Sequence, residues 1–354
     1  MKKEGLTKLY NRSLLGPLAV GVIVFALPFV FSANAYILST LILIGIYALV
    51  CTGLNLLMGY AGQISLGQAA FYGIGAYASA YMTVKMGTSP IIGIVVGIII
   101  SAIIAVIIGI PTFKLKENYL ALATLGFCII VYTFFKEWKD LTGGLNGFFG
   151  IPKFEVVGFA FTTQHFYFLV WFLVIAGIIF ARNIIQSRIG RALQSIHGSE
   201  VASDSIGVNI QNYKLQTFVI SAVYASVAGS LYAHYSMFIN PELFDAMQSI
   251  MFLIMVVIGG VSSVWGGLIG AVVYVFLSEW LKDLVPMFLP NAGGEFETVF
   301  FGLLLVIILI YMPNGLAHPL SKLFSFIGSL FKKEKNEPLE VQENSSHTMG
   351  GDKS

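Results

Sequence analysis

Between Arg12 and Lys85 the chain has no aspartate, glutamate, lysine or arginine, so the 72 consecutive residues from Ser13 to Val84 carry no formal charge. That stretch excludes a soluble domain, whose water-facing surface is rich in charged side chains. A helix crossing the roughly 30 Å hydrocarbon core needs about 20 mainly apolar residues, so the run holds three spans with short connections. Over all 354 residues only 11% are charged while 57% are hydrophobic, and the mean hydropathy is +0.83.

Cysteine is nearly absent. Cys51 and Cys128 lie far apart inside apolar segments and form no CxxC, which excludes a disulfide framework and makes them small core residues. Catalytic and metal-binding patterns are missing as well, with no HExxH, no GxSxG, no His/Cys cluster and no paired intramembrane carboxylates, so no catalytic residue and no metal ligand is proposed. Nucleotide binding lacks its GxxxxGK[ST] loop, and any ATP that drives this protein must therefore bind another subunit. GIGAYA at Gly73 fits a dinucleotide fingerprint only by accident, because no strand precedes it. No charge sits clearly in mid-span, which gives proton-driven transport little support. A net charge of +2 gives no reason to expect a nucleic-acid partner.

What remains is apolar sequence punctuated by glycine, proline and rare charges. These define ten helices near 14–32, 36–58, 65–84, 90–110, 118–136, 165–182, 213–236, 243–260, 264–282 and 297–313. The basic run Lys2, Lys3, Lys8 and Arg12 before Leu14, with Ala33-Asn34-Ala35 following, has the look of a signal peptide, but an 18-residue apolar stretch is long enough to span and favours an uncleaved first helix. With both termini cytoplasmic, 15 of the 20 Lys and Arg residues fall inside while the 18 Asp and Glu divide evenly, as the positive-inside rule requires. The expected fold is thus an all-α integral membrane protein of about ten spans. It divides into a cytoplasmic N-terminus (1–13), a transmembrane domain (14–320) and a polar tail (321–354) expected to be largely disordered. Within the transmembrane domain lie a cytoplasmic segment near 187–212 and an outside loop near 137–164.

The 37 glycines cluster. Gly59, Gly62 and Gly67 interrupt one apolar segment, and Gly259, Gly260, Gly266 and Gly267 another, while Gly93 with Gly97 and Gly266 with Gly270 form GxxxG pairs that let helices approach closely. Interrupted helices at membrane depth are tolerated where they are buried or line an aqueous cavity. Asn55, Gln63, Ser65, Gln68, Ser262 and Ser263 accompany the breaks and are candidates for a pathway that passes a neutral or zwitterionic solute, with interhelical hydrogen bonding as the alternative role. His234, near a helix end, reads as an interfacial group.

Taken literally, GYAGQISLGQAAFYGIGAYASA (59–80), LALATLGF (120–127), LTGGLNGFFGIP (141–152), GRALQSI (190–196), EVASDSIGVNIQNYKLQTFVISAVYASVAGSLYA (200–233) and VVIGGVSSVWGGLIGA (256–271) resemble, in family order, the permease subunits of branched-chain amino acid ABC importers. The resemblance covers nearly the whole chain up to about Pro319, and its extra first helix and polar tail suit the longer of two permease types. It implies a second, related permease, two ATPase subunits that bind ATP and Mg, and an external solute-binding protein, all at a bacterial cytoplasmic membrane. It also implies that Glu200, Ala202, Asp204, Gly207 and Asn209 form the region that docks on the ATPase, with Glu200 to Ser205 making polar helical turns stopped by Gly207. Departures from the family pattern are His197-Gly198-Ser199, Ser203-Asp204, Glu117-Asn118 and Ser262. Helices 2 to 5 and 7 to 10 are candidates for an inverted repeat, although the breaks near 59–67 and 259–267 both fall on the cytoplasmic side, where inversion would separate them. Urea or short amides are alternative cargo, and a stand-alone channel or ion-driven carrier is the alternative of another class.

Overall fold

A computed structural model describes residues 34–113, 117–156, 159–261 and 263–288, with isolated positions between 21 and 28 and between 302 and 317. The described residues form eleven α-helices. The first is α1, Ala35–Asn55, which runs on through one π-helical turn, Leu56–Tyr60. Residues 61–67 are not helical, and α2 (Gln68–Val84) follows. Next come α3 (Pro90–Thr112), α4 (Glu117–Glu137) and the single turn α5 (Lys139–Thr142). Then follow α6 (Thr163–Gln186), α7 (Arg188–Gly198), α8 (Glu200–Ser205), α9 (Ile210–Ser236), α10 (Ala246–Gly259) and α11 (Gly266–Phe288). Five of the helical segments, Ala35–Tyr60, Pro90–Thr112, Tyr119–Glu137, Thr163–Gln186 and Ile210–Ser236, are long and apolar enough to cross a membrane, so the chain is a multi-pass helical membrane protein.

Eight of the ten expected spans coincide with these helices. The other two, near 14–32 and 297–313, lie mostly outside the described residues, as do the N-terminus and residues 318–354. Ends shift by up to six residues; the third span, for example, starts at Gln68 rather than residue 65, because Gly67 caps the helix and the Ser65 hydroxyl accepts from the Gly67 amide. Elsewhere the ends follow local chemistry. Ser89 precedes Pro90, whose missing N–H costs nothing at the first helical position. Side chains of Thr162, Ser187, Ser199, Asn209 and Asp245 each accept from a backbone amide at the start of the following helix.

Small residues set the packing. Gly93, Gly97, Ser101, Ala105 and Gly109 recur every fourth position and form the buried stripe of α3, while Ile91, Val95, Ile99, Ile103 and Ile107 point outward. Against that stripe lie α2 and α9. A Cβ at Gly229 would sit 1.8 Å from the Tyr72 carbonyl oxygen, and one at Gly75 2.1 Å from that of Ser226, so α2 and α9 touch backbone to backbone. The burial of α2 is nearly complete. At 17 and 14 residues, α2 and α10 measure about 25 and 21 Å, too short to cross the hydrocarbon core alone.

The contacts repeat. As α1 packs on α11, so α9 packs on α3; as α2 packs on α3, so α10 packs on α11; and α2 meets α9 as α10 meets α1. Exchanging α1, α2 and α3 for α9, α10 and α11 therefore maps the packing onto itself. In that exchange the break at 56–67 corresponds to residues 237–245, not to 260–265. Residues 237–245 hold strand β4 (Phe238–Ile239), a 3₁₀ turn (Pro241–Phe244) and a left-handed Met237 at φ 57°. β1 (Phe148–Phe149) pairs antiparallel with β4, and β2 (Glu155–Val156) with β3 (Phe159–Ala160). Both pairs lie in or against the 137–164 connection.

Candidate functional site

The two glycine-rich breaks meet at one end of the bundle. Asn55, the last residue of α1, donates its side-chain amide to the Ser263 carbonyl. A Cβ at Gly59 would fall 1.7 Å from the Val261 carbonyl oxygen, one at Gly266 2.0 Å from that of Gly260, and one at Gly259 1.8 Å from that of Gly266. Gly267 lies against the backbone of Cys51 and Thr52. No side chain fits at these positions without moving backbone, so the glycines bring the ends of α1 and α10 and the start of α11 into direct contact. Gly260 adds a backbone need, since its φ of 113° is one that L side chains rarely adopt.

Of the polar residues at the breaks, Asn55 is 2% exposed, Gln63 1%, and Ser65 and Gln68 fully buried. Ser263 is half-buried, and Ser262 lies outside the described residues. Gln68 donates to the Ser221 hydroxyl of α9 at 2.9 Å. Two more hydroxyls from other helices hold the segment: Thr124 of α4 accepts from the Leu66 amide at 3.0 Å and Ser249 of α10 accepts from the Ala69 amide at 2.9 Å, and Gly67 is close against Thr124. These tethers were not singled out in the sequence, where the signal for Ser221 and Ser249 is a lone serine within an apolar run. Among the described residues, both polar atoms of the Gln63 amide, Asn55 Oδ1 and Gln68 Oε1 find no hydrogen-bond partner. A buried polar group without a partner costs about 1–3 kcal/mol, so the packed break carries unsatisfied bonding capacity that a rearrangement could use.

Toward the opposite end, His234 departs from the interfacial reading. It is 3% exposed, with Nε2 2.9 Å from the Ser79 hydroxyl and Nδ1 3.0 Å from the Pro152 carbonyl oxygen, and the Phe154 ring lies edge-on to it. Residues of the 137–164 connection cover it. Cys51 and Cys128 are free thiols in the core.

Between α6 and α9 the chain forms two short helices where the sequence suggested one. In α7, Gly190, Leu193 and Ile196 are buried, a spacing that gives the helix one apolar face. A Cβ at Gly190 would meet the Ile185 carbonyl oxygen at 2.1 Å, so α7 folds back tightly on the end of α6. The coupling candidates cluster in and after α8. Glu200 opens the helix and pairs with Lys214 of α9, whose side chain is nearly buried. Ala202, Asp204, Gly207 and Asn209 are exposed, as are Val201 at 79% and Ile206 at 74%. Gly207, at φ 81°, takes the left-handed conformation that ends the helix, and the Asn209 side chain caps α9 by accepting from the Asn212 amide. Ser203 is buried and its hydroxyl lies 2.8 Å from that of Ser195 in α7.

Interrupted helices, backbone contacts through glycine and an exposed cap of two short helices match a transport subunit, and the comparisons with known proteins agree. The family model for the branched-chain amino acid transport system permease component matches residues 36–309. A high-affinity branched-chain amino acid transport permease, LivM of Salmonella typhimurium, is 30% identical over 328 residues, 84% of this chain and 73% of that protein. The probable LivM of Methanocaldococcus jannaschii is 26% identical over 77% of this chain and 90% of its own length. LivH of Escherichia coli is 27% identical over 76% and 90%. No solved structure matches the chain significantly. The family is one of permease components rather than catalytic subunits, and the chain belongs to it: it is a permease component of the branched-chain amino acid transport family.

Proposed function

We propose that this chain forms one half of the membrane pathway of an ATP-driven importer for leucine, isoleucine, valine or a similar small amino acid. The observation that carries the reading is the junction of two broken helices through Asn55 and Ser263 in a chain of this permease family. The other half is a second, related permease, for which LivH is the model because it too aligns over most of this chain. The outward apolar faces of α3 and α4 face lipid or that partner. ATP and Mg are held by two separate ATPase subunits, and an external binding protein supplies the solute.

The membrane is the bacterial cytoplasmic membrane, with both termini inside, which places the 56–67 break, α7 and α8 at the cytoplasmic face and residues 137–164 and 237–245 at the outer face. The packing exchange of α1–α3 with α9–α11 supports an inverted repeat, and it removes the difficulty raised by the sequence: the counterparts 56–67 and 237–245 lie on opposite sides. Asn55, Gln63, Ser65, Gln68, Ser262 and Ser263 form the cytoplasmic constriction, packed shut in this state. Alternating access opens it when the ATPases, docked on Val201, Ile206 and the residues around them, change their separation.

The test is uptake of labelled leucine into proteoliposomes containing this chain, its partner permease and ATPases, with binding protein outside and ATP inside. Uptake that needs both ATP and binding protein is expected. Flux through this chain alone without ATP would refute the reading in favour of a channel or carrier. Binding-protein-stimulated ATP hydrolysis without leucine uptake would keep the importer and replace its cargo.

A further inference from the structure

Three consecutive residues at the end of α7 face different surroundings. Ser195 is bonded to Ser203 of α8, Ile196 is buried 2% exposed, and His197 lies over the cytoplasmic break, where a Cβ on Gly62 would come within 3.0 Å of His197 Nδ1. Gly62 has φ 67° and immediately precedes Gln63, the amide with no partner among the described residues. The same turn of helix thus touches both the proposed ATPase-docking helix and the polar constriction.

We propose that the last turn of α7 is a lever between the two, with His197 as the positioning residue that holds Gly62, and through it Gln63, in the packed arrangement. The proposal rests on the reading of α8 as the ATPase-docking helix and adds the route by which its movement reaches the pathway. A helical turn transmits displacement because its backbone is hydrogen-bonded along its length, whereas the exposed loop at Gly207 to Asn209 does not. α7 is anchored at its other end, by the Ser187 cap and the contact of Gly190 with Ile185, so a push on Ser195 swings the His197 end. The segment that receives the push is poised to move, because its packed state leaves polar atoms unbonded and a glycine at positive φ supplies a hinge. A second connection leads to the far side of the same break. Glu200 pairs with Lys214 at the start of α9, and Ser221 farther along α9 accepts from Gln68. α8 therefore grips the constriction from both flanks, and the α7 arm is the one that His197 completes.

The experiment uses the full reconstituted importer and reads solute carried per ATP hydrolysed. His197→Ala should assemble with the ATPases and hydrolyse ATP at the unmodified rate, yet carry several-fold less solute per ATP, and His197→Gln, which restores bulk at that position, should recover most of the ratio. Gly62→Ala should also lower the ratio, because φ 67° strains an alanine there and its methyl would meet the His197 ring. An unchanged ratio in His197→Ala, or no recovery in His197→Gln, would overturn the lever. Failure of a cysteine at Val201 to cross-link to the ATPase in the unmodified complex would instead remove the docking reading beneath it.

Discussion

Asn55 at the end of α1 donates its side-chain amide to the carbonyl of Ser263, 208 residues later, and so ties the first broken helix to the second. A Cβ on Gly59 would meet the same side chain at 2.7 Å, so the glycine makes room for Asn55 in this position. One amide thus closes the junction of three helices.

Asn55→Ala should lower the stability of the purified chain by about 1–3 kcal/mol, because the Ser263 carbonyl loses its donor and a small void opens. Asn55→Asp should be worse, since it sets a carboxylate against a carbonyl oxygen in a site only 2% exposed, where a charge has no solvent. Thermal unfolding in detergent checks the order; an Asp variant as stable as the Ala variant would show that this junction is wet.

Two glycines should respond in opposite ways to the same change. Gly229→Ala places a methyl 1.8 Å from the Tyr72 carbonyl oxygen and must push α2 and α9 apart, at a cost of about 3 kcal/mol or more, and the protein should fold poorly. Gly126 in α4 meets nothing within 4 Å, so Gly126→Ala should stabilise the isolated chain by up to about 1 kcal/mol through helix propensity alone. Yield and melting temperature of the two variants decide it.

The ion pair between Glu200 and Lys214 is asymmetric, with relative side-chain exposure of 39% for the carboxylate and 9% for the ammonium. Glu200→Gln strands a nearly buried cation, whereas Lys214→Met leaves a carboxylate that water still reaches. The glutamine variant should therefore lose more stability than the methionine variant, by about 1 kcal/mol once solvent screening of the exposed partner is allowed for. Chemical or thermal denaturation of the two single variants measures the difference, and equal losses would show that Lys214 is better hydrated than its burial indicates.

Much of the local structure is readable from single residues. Gly207 stops α8 and Asn209 caps α9 for reasons of side-chain chemistry that need no tertiary partner. Helix α7 escaped such reading because it has one apolar face over only eleven residues, and the three buried positions Gly190, Leu193 and Ile196 gain their meaning from the ends of α6 and α9 beneath them. The surroundings of His234 are hidden for a related reason: its position near a helix end suggests an interface, but Ser79, Pro152 and Phe154 come from other segments to enclose it.

By itself the sequence determined that this protein lives in a membrane and where eight of its long apolar helices run, because hydrocarbon tolerates few charges and leaves long apolar runs as their own signature, and its glycine-rich motifs marked the family. Only the tertiary structure decided which helices pack on which, that Asn55, Gln63, Ser65 and Gln68 are packed away rather than open, and that α7 touches both α8 and the break at Gly62. These depend on backbones meeting at distances that glycine permits, and the partner of a glycine is not written next to it in the chain.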